Sequence, residues 1–240
     1  MNTIKINDHG KTLMVAHRGL SGIEPENTNL AFVAAGNRSY FGVETDIHCT
    51  SDGNFILTHD DSATRVTGQA LRIEETPFDV LRDLRVKDKD GTQSRIDIRM
   101  PTLEEYVRIC KKYEKVCVLE LKNHMPEEAV RTIIDRIEGE EYLDHVIFIS
   151  FDFENLVFVR NYRPTQTVQF LFNAMSEGLM EKLVAHKFDV DVYFKGLSEE
   201  LIQDFHKAGI KVNCWTVDTV EDADRLISWG VDYVTSNILE

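Results

Sequence analysis

The chain has 240 residues, with 27 Lys and Arg against 41 Asp and Glu, and so a formal net charge of −14. This acidic balance argues against nucleic acid or an anionic membrane surface as the main partner, because both bind basic faces. No apolar run approaches the roughly 20 residues that cross a bilayer, and the first apolar stretch, residues 13–16, is too short for a signal peptide. A cytoplasmic protein without a membrane span is therefore predicted.

The four cysteines agree with that location. Cys49, Cys110, Cys117 and Cys214 form no CxxC pair and no cluster with zinc-finger spacing. In a reducing compartment they are most simply interpreted as buried thiols.

Apolar, β-branched runs alternate with amphipathic segments along the chain. Several runs, such as residues 116–119 and 146–149, are almost continuously apolar, which is typical of parallel strands covered on both faces. Eight runs are predicted strands, and Asn54–Thr58 is predicted to return alongside the second of them. The eight are Leu13–Ala16, Gly42–Ile47, Val116–Leu121, Val146–Ser150, Thr167–Phe172, Val190–Phe194, Lys211–Thr216 and Asp232–Thr235.

Helix signals occupy the segments between these strands. Thr102 and Glu105 have the spacing of a capping box, and Thr219 is placed to cap a segment whose apolar residues share one face. Eight units of one strand and one helix, at roughly 30 residues each, need about 240 residues. The sequence therefore predicts a (β/α)8 TIM barrel. A doubly wound open sheet is disfavoured, because no GxGxxG fingerprint follows the first strand.

One interval is too long for a single unit. Asp46 and Glu120 are 74 positions apart, more than twice the usual spacing. The interval contains the return strand and then a polar stretch, residues 85–99, which is dense in Lys, Asp and Arg. We predict one domain over residues 1–240, in which residues 61–100 form a small insertion over the barrel mouth.

Carboxylates interrupt two predicted strands near their carboxyl ends, where the active sites of parallel barrels lie. Side chains two residues apart on a strand point the same way. Glu44 and Asp46 therefore share one face of their strand, and Glu120 and Lys122 share one face of theirs. Three carboxylates so close together repel one another unless a cation lies between them. Oxygen ligands suit Mg²⁺ or Ca²⁺. We therefore predict that the three bind one divalent cation, in preference to ion pairs with Lys122 and Arg18 at a solvated rim.

Two histidines stand at strand ends beside these acids. His17 follows the first strand and His59 follows the return strand. Imidazole titrates near neutral pH, so this pair is predicted to act as general acid and base. With one divalent cation bound, Arg18 and Lys122 would leave the pocket locally positive although the chain is acidic. That charge suits an anionic substrate such as a phosphodiester.

The chain has a series of short motifs in a fixed order between Val15 and about Thr235. They are Ala16-His17-Arg18-Gly19, Pro25-Glu26-Asn27-Thr28, Glu44-x-Asp46, Thr50-x-Asp52-Gly53, His59-Asp60, Arg65-x-Thr67-Gly68, Pro101-Thr102-Leu103, Leu119-Glu120-Leu121-Lys122, Trp215-Thr216-Val217 and Gly230-Val231-Asp232. This order resembles the glycerophosphodiester phosphodiesterase family over essentially the whole chain. The amino-terminal motifs are the most specific, whereas the later ones are individually weak.

The resemblance implies a TIM-barrel enzyme that hydrolyses glycerophosphodiesters to sn-glycerol 3-phosphate and an alcohol. It implies that His17 and His59 are the general acid and base and that the three carboxylates hold Mg²⁺ or Ca²⁺. By the same resemblance, Arg18 and Lys122 contact the phosphate. Trp215, which the residues alone leave between a pocket wall and core packing, is expected to form an apolar wall for the glycerol carbons.

Two details of the motifs lead to further expectations. The ending Thr235-Ser236-Asn237 departs from the Thr-Asp or Thr-Asn followed by Pro that is usual in the family, and we expect it to affect one edge of the pocket and the fit of the substrate. Asn27 is expected to fix the loop beside His17 and to cap the helix that begins at Thr28.

Several alternatives stay open at this point. The nucleophile is either water or the neighbouring glycerol hydroxyl, and the second route passes through a cyclic phosphate. A related enzyme would be a phosphodiester lyase that acts on lysophospholipid-like substrates. A non-catalytic barrel that binds a phosphorylated ligand is disfavoured, because binding alone needs no paired histidines. The expected partner is a small-molecule glycerophosphodiester, and the formation of a homo-oligomer is left open.

Overall fold

Nine strands lie within residues 2–240, the part of the chain that the computed structural model describes. They are β1 (Leu13–Ala16), β2 (Gly42–Cys49), β3 (Phe55–Leu57), β4 (Val116–Leu121), β5 (Val146–Ser150), β6 (Thr167–Phe172), β7 (Asp189–Tyr193), β8 (Val212–Trp215) and β9 (Tyr233–Ser236). All except β3 form one parallel sheet. β1 pairs with β2 on one side and with β9 on the other, so the eight strands close into a barrel. β3 lies outside the ring and pairs antiparallel with the end of β2.

Helices cover the outside of this barrel. Nine α-helices lie within residues 2–240: α1 (Asn29–Gly36), α2 (Thr64–Thr67), α3 (Phe78–Asp83), α4 (Leu103–Lys112), α5 (Glu127–Gly139), α6 (Phe153–Tyr162), α7 (Leu179–His186), α8 (Glu199–Lys207) and α9 (Val220–Ser228). α1 and α4–α9 connect successive barrel strands, whereas α2 and α3 follow β3. The predicted (β/α)8 TIM barrel is confirmed. Throughout the described chain, every helix falls short of the length and apolar content needed to cross a membrane.

The helices begin where their sequences supply caps. Thr102 Oγ1 accepts a hydrogen bond from the Glu105 backbone N–H, and the Glu105 carboxylate accepts one from the Thr102 N–H, so the predicted capping box precedes α4. Thr219 caps α9 in the same way, through the N–H of Asp222. Each cap satisfies backbone donors that the first helical turn leaves free.

The main core lies between the strands and the helices. On β4, Cys117 and Leu119 are buried in this core, whereas Val118 belongs to a second apolar cluster with Ile147 and Leu171. Alternate residues of a strand point to opposite faces, so this second cluster lies inside the barrel. Apolar residues on both faces explain why the strand sequences are almost continuously apolar.

Polar side chains are also buried inside the barrel. Asn213 on β8 donates from Nδ2 to Gln169 Oε1 on β6 at 3.1 Å. Thr235 Oγ1 on β9 donates to Asn213 Oδ1 at 3.1 Å. β7 lies between β6 and β8 and adds Asp191 to these buried groups. The barrel interior is therefore polar on the side formed by β6–β9.

Residues 61–100, here called the 61–100 segment, have a small apolar cluster of their own. This cluster comprises Ala63, Ile73, Leu81, Val86, Ile98 and Met100 together with Ile56 of β3. Lys89 donates from Nζ to the backbone oxygen of Ser21 at 2.7 Å. Ser21 lies in the loop between β1 and α1, so the segment contacts a loop at the carboxyl end of the barrel strands.

Candidate active site

Three carboxylates meet where β2 and β4 run side by side. The register places Asp46 opposite Glu120, and Glu44 lies two residues before Asp46 on the same face of β2. One oxygen of each residue lies within 4.8 Å of the others, and all three side chains are buried. These three residues are called the acidic cluster below.

Two cations lie against the acidic cluster. Lys122 Nζ is 2.8 Å from Glu120 Oε1 and 3.4 Å from Asp46 Oδ1. The Arg18 guanidinium Nε is 3.8 Å from Asp46 Oδ2, and the Arg18 backbone N–H donates to Glu44 Oε2 at 2.7 Å. Every acid of the cluster therefore faces a positive group or a backbone donor.

Asn27 also holds the acidic cluster in place. Its Nδ2 donates to Asp46 Oδ2 at 2.8 Å, and its Oδ1 accepts from Thr45 Oγ1 at 2.6 Å. The cap of α1 is Thr28, whose Oγ1 accepts from the Ala31 N–H. The expectation that Asn27 caps this helix is therefore wrong, because both polar atoms of its side chain are engaged with β2.

The two neighbouring cations, Lys122 and Arg18, do not balance the negative charge of the three acids. Burial, reinforced by Asp46, raises the pKa of both Glu44 and Glu120. Burial also opposes the ionisation of Asp46, but Lys122 and Arg18 outweigh it and lower the pKa of this carboxyl. A divalent cation would supply the charge that keeps all three acids ionised. Three buried carboxylates at this spacing fit Mg²⁺ or Ca²⁺.

His17 is oriented by the segment that follows β9. Its Nδ1 lies 2.8 Å from Asn237 Oδ1, while Asn237 Nδ2 donates to Asp218 Oδ2 at 2.6 Å. His17 Nδ1 must therefore hold the proton of this hydrogen bond, which leaves Nε2 as the free acceptor. Nε2 is 3.9 Å from Glu44 Oε2. Burial and the neighbouring Arg18 lower the pKa of His17 to about 4.

His59 follows β3 and is held by a series of charged hydrogen bonds. Its Nδ1 lies 2.7 Å from Asp60 Oδ1. Arg65 on α2 donates from Nε to Asp60 and from Nη1 to Glu26, each at 2.7 Å. Glu26 in turn accepts from Arg18 Nη1 at 2.8 Å. Burial is the largest influence on His59 and lowers its pKa.

A cavity of about 300 Å³ at the carboxyl ends of the strands joins these groups. Its charged side consists of His17, Arg18, Glu44, His59 and Glu120. Its other side, from β5–β9 and the loops that follow them, includes Ile149, Phe151, Leu171, Asp191, Trp215 and Thr235. Asp46 and Lys122 do not line it directly but contact Glu120 at its edge. All eight residues that the sequence singled out thus lie in or beside one cavity.

Trp215 is part of the wall of this cavity. Its ring packs edge to face against Phe151, with 5.7 Å between the ring centroids. Its Nε1 donates to the backbone oxygen of Asp191 at 3.3 Å. The two aromatic rings give the cavity an apolar surface next to its charged side.

Several polar residues at the site were not predicted from the sequence. Asp191 had the signal that identified Glu44, a carboxylate in the middle of a buried strand, between Val190 and Val192. Asn237 was expected only to affect substrate fit, yet it contacts His17. Asp60, Glu26 and Arg65 belong to the quoted motifs, but nothing in their spacing shows that they bond to one another.

Comparisons with known proteins agree with this geometry. Residues 17–239 match the model of the glycerophosphoryl diester phosphodiesterase family. A glycerophosphodiester phosphodiesterase of Caldanaerobacter subterraneus is 28% identical over 233 residues, which cover 95% of this chain and 94% of that protein. The mouse glycerophosphodiester phosphodiesterase 1 is 29% identical over 265 residues, covering 94% of this chain and 78% of that protein.

Solved structures show the same architecture. An Oleispira antarctica phosphodiesterase, determined in complex with the product sn-glycerol 3-phosphate, superposes with a TM-score of 0.83 at 26% identity and covers 94% of this chain and 93% of that one. A protein from Silicibacter pomeroyi has the same fold, with a TM-score of 0.85 at 22% identity, and covers 99% of this chain and 91% of that one. The chain belongs to the glycerophosphoryl diester phosphodiesterase family, as the order of its motifs predicted.

Proposed function

We propose that this protein is a metal-dependent enzyme that hydrolyses glycerophosphodiesters to sn-glycerol 3-phosphate and an alcohol. The observation that supports this most directly is the cavity itself. It brings His17 and His59 together with a buried acidic cluster and the guanidinium of Arg18. A relative from Oleispira antarctica binds sn-glycerol 3-phosphate, which is the product expected here.

In this proposal Glu44, Asp46 and Glu120 hold one Mg²⁺ or Ca²⁺. Such a cation acts as a Lewis acid on a phosphoryl oxygen. Arg18 and Lys122 bind the phosphate and stabilise the negative charge that grows on its oxygens. The cationic groups are fixed in advance by their contacts with the acids, so little reorganisation accompanies the reaction.

The hydrogen-bond partners of the two histidines favour different tasks. Because Asn237 accepts from Nδ1 of His17, His17 Nε2 is free to take a proton from the nucleophile. His59 has a carboxylate, Asp60, at its Nδ1, which stabilises the protonated ring and suits the donation of a proton to the leaving alkoxide. We therefore assign the base to His17 and the acid to His59, with Trp215 as the wall for the glycerol carbons.

The surroundings of the site lead to two further proposals. The chain is one domain in which the 61–100 segment covers the mouth beside β1, which the Lys89 contact with Ser21 and the Arg65 contact with Glu26 support. The location is cytoplasmic, in agreement with the acidic composition and with cysteines that are free thiols within the described chain.

The decisive experiment measures the release of sn-glycerol 3-phosphate from glycerophosphocholine, glycerophosphoethanolamine and glycerophosphoglycerol. Each substrate is tested with EDTA, with Mg²⁺ and with Ca²⁺. His17→Ala and His59→Ala are each expected to lower kcat by roughly 10²- to 10⁴-fold, because each removes a proton-transfer group. His145→Ala is the matched control, since His145 is exposed and outside the cavity.

The outcomes separate the alternatives. Activity that survives EDTA would contradict metal dependence, and normal turnover in a histidine variant would remove that residue from the chemistry. A cyclic phosphate as the final product would identify a lyase in place of a hydrolase. If no phosphodiester is cleaved by folded protein with metal bound, the barrel only binds phosphorylated ligands.

A further inference from the structure

Asp191 is a buried acid that the proposed chemistry does not use. It lies in the middle of β7, where its neighbours Val190 and Val192 are fully buried in the outer core. The alternation of a strand therefore directs Asp191 into the barrel, and its side chain lines the cavity. It is only 2% exposed.

This carboxyl group lacks a partner for one of its oxygens. Within residues 2–240, no group forms a hydrogen bond with the buried Oδ1. The adjacent polar groups are linked without it, because Asn213 bridges Gln169 and Thr235. A buried polar atom without a partner destabilises a fold. Stability therefore does not explain why an acid lies at position 191.

The form of this side chain suits an uncharged polar ligand. Burial, with a smaller contribution from Glu120, raises the pKa of Asp191 well above its usual value. In either protonation state the unpaired oxygen of Asp191 can accept a hydrogen bond, and a protonated carboxyl group can also donate one. An alcohol hydroxyl both donates and accepts, so it can bind Asp191 in either state.

The position of Asp191 indicates which part of a substrate it meets. The phosphate belongs on the charged side, with Arg18 and the acidic cluster. Phe151, Leu171 and Trp215 form an apolar wall that lines the same cavity as Asp191, and the register of β6 and β7 places Leu171 beside Asp191. Carbon atoms bonded to the phosphate would lie on this wall, with a hydroxyl group at its buried end.

A second groove leaves the site in another direction. It shares His17 and Arg18 with the cavity and extends past Lys89 and Asp218, both in loops, to the surface. Lys89 is exposed, whereas Asp191 is enclosed. An alcohol of variable size fits the open groove, and the constant part of the substrate fits the enclosed end.

We propose that Asp191 binds a hydroxyl group of the glycerol moiety and thereby selects glycerol phosphates over phosphates of plain alkyl chains. This inference rests on the proposed function for the orientation of the phosphate. Asp191 is a binding residue here and takes no part in proton transfer.

The test compares two ligands of equal carbon number by calorimetry in the presence of Mg²⁺. sn-Glycerol 3-phosphate has two hydroxyl groups, and n-propyl phosphate has none. We expect the unaltered protein to bind the first roughly 10- to 100-fold more tightly, as the loss of one buried hydrogen bond implies. Asp191→Leu and Asp191→Val should abolish this preference, while Asp191→Asn, which keeps a donor and an acceptor, should retain most of it.

Gln169→Met is the matched control, because Gln169 is buried on the adjacent strand with an unpartnered Nε2 but does not line the cavity. It should leave the preference unchanged. Thermal melts accompany each variant, and neither Asp191→Leu nor Asp191→Val should lower Tm, since each removes an unpaired buried group.

Two results would overturn the inference. The first is an unaltered protein that binds both ligands equally. The second is an Asp191→Leu or Asp191→Val variant that is folded and keeps the preference. Failure of the proposed function appears separately, as absence of sn-glycerol 3-phosphate release by a protein that still prefers this ligand.

Discussion

Asn237 determines which ring nitrogen of His17 carries the proton. Because Asn237 Nδ2 is bound to Asp218, its Oδ1 faces the histidine and also accepts from Ser21 Oγ at 2.6 Å. A ring held in this way presents Nε2 toward the acidic cluster, 3.9 Å from Glu44. In many enzymes the group behind a catalytic histidine fixes its tautomer in this manner.

Replacing Asn237 should therefore impair turnover more than substrate binding. In Asn237→Ala the proton on His17 is free to move to Nε2, so we expect kcat to fall roughly 10- to 100-fold with little change in KM. Steady-state kinetics over a range of pH would measure both. Asn37→Ala, at the exposed end of α1, is the control. A rise in KM with unchanged kcat would contradict the positioning role.

The predictable part of the site is the part that interrupts strands. Glu44, Asp46 and Glu120 could be predicted as site residues, because burying a carboxylate in a strand costs free energy and therefore indicates a function. Asn237 could not, because it follows the last strand and its contact with His17 spans 220 positions of sequence. Only the closure of the barrel brings these two residues together.

At the scale of elements, α2 links the 61–100 segment to the loops that follow β1 and β3. Arg65 on this short helix binds Asp60, the partner of His59, and Glu26, the partner of Arg18. Its hydrogen bonds are the main reason that the pKa of Asp60 lies below its usual value. One side chain from the segment therefore orients groups in the loops that follow β1 and β3.

Removing this link should lower activity while the fold persists. Arg65→Ala frees Asp60 and Glu26, so we expect kcat/KM to fall roughly 10-fold, within the range seen for residues that orient ligands of a site. Tm should change little, because Arg65 is half-exposed and exposed ion pairs add little stability. Kinetics and melting curves test this. Arg65→Lys keeps the charge but loses the guanidinium that binds two carboxylates at once, so it should recover only part of the activity.

The barrel strands could be predicted, whereas the interior of the 61–100 segment could not. Runs such as β4 and β5 are apolar on both faces, and this pattern specifies a parallel strand with cover on each side. The cluster of the segment joins Ile73, Leu81 and Ile98 to β3, and these residues follow neither the period of a helix nor that of a strand. Their contacts depend on the path of the chain through the segment, which the local pattern of apolar residues does not predict.

At the scale of the whole molecule, Glu240 ties the two ends of the described chain together. Its carboxylate accepts from Thr3 Oγ1 at 2.5 Å and from the Ser39 N–H at 2.7 Å. Lys5 Nζ lies 2.6 Å away. Burial opposes the ionisation of Glu240, but these hydrogen bonds outweigh it and lower the pKa to about 2.

This buried carboxylate should make stability depend on pH in the acid range. Its pKa is lower in the folded chain than its usual value of 4.5, so its contribution is complete above that value and is lost as pH falls towards 2. Glu240→Gln should cost roughly 1.5–3 kcal/mol at pH 7 and flatten the pH dependence below 4.5. Urea unfolding at several pH values measures both effects. Equal slopes in the two proteins would contradict the assignment.

The junction of β1 and β9 also determines when the site is complete. The three acids of the cluster lie on β2 and β4 and are bound by Arg18 and Asn27, whereas His17 is oriented by a backbone bond to Ser236 and by Asn237. Contacts between such distant parts of a chain form late, because ordering the intervening loop costs entropy first. The arrangement around His17 therefore depends on the last strand and is completed only when the barrel closes.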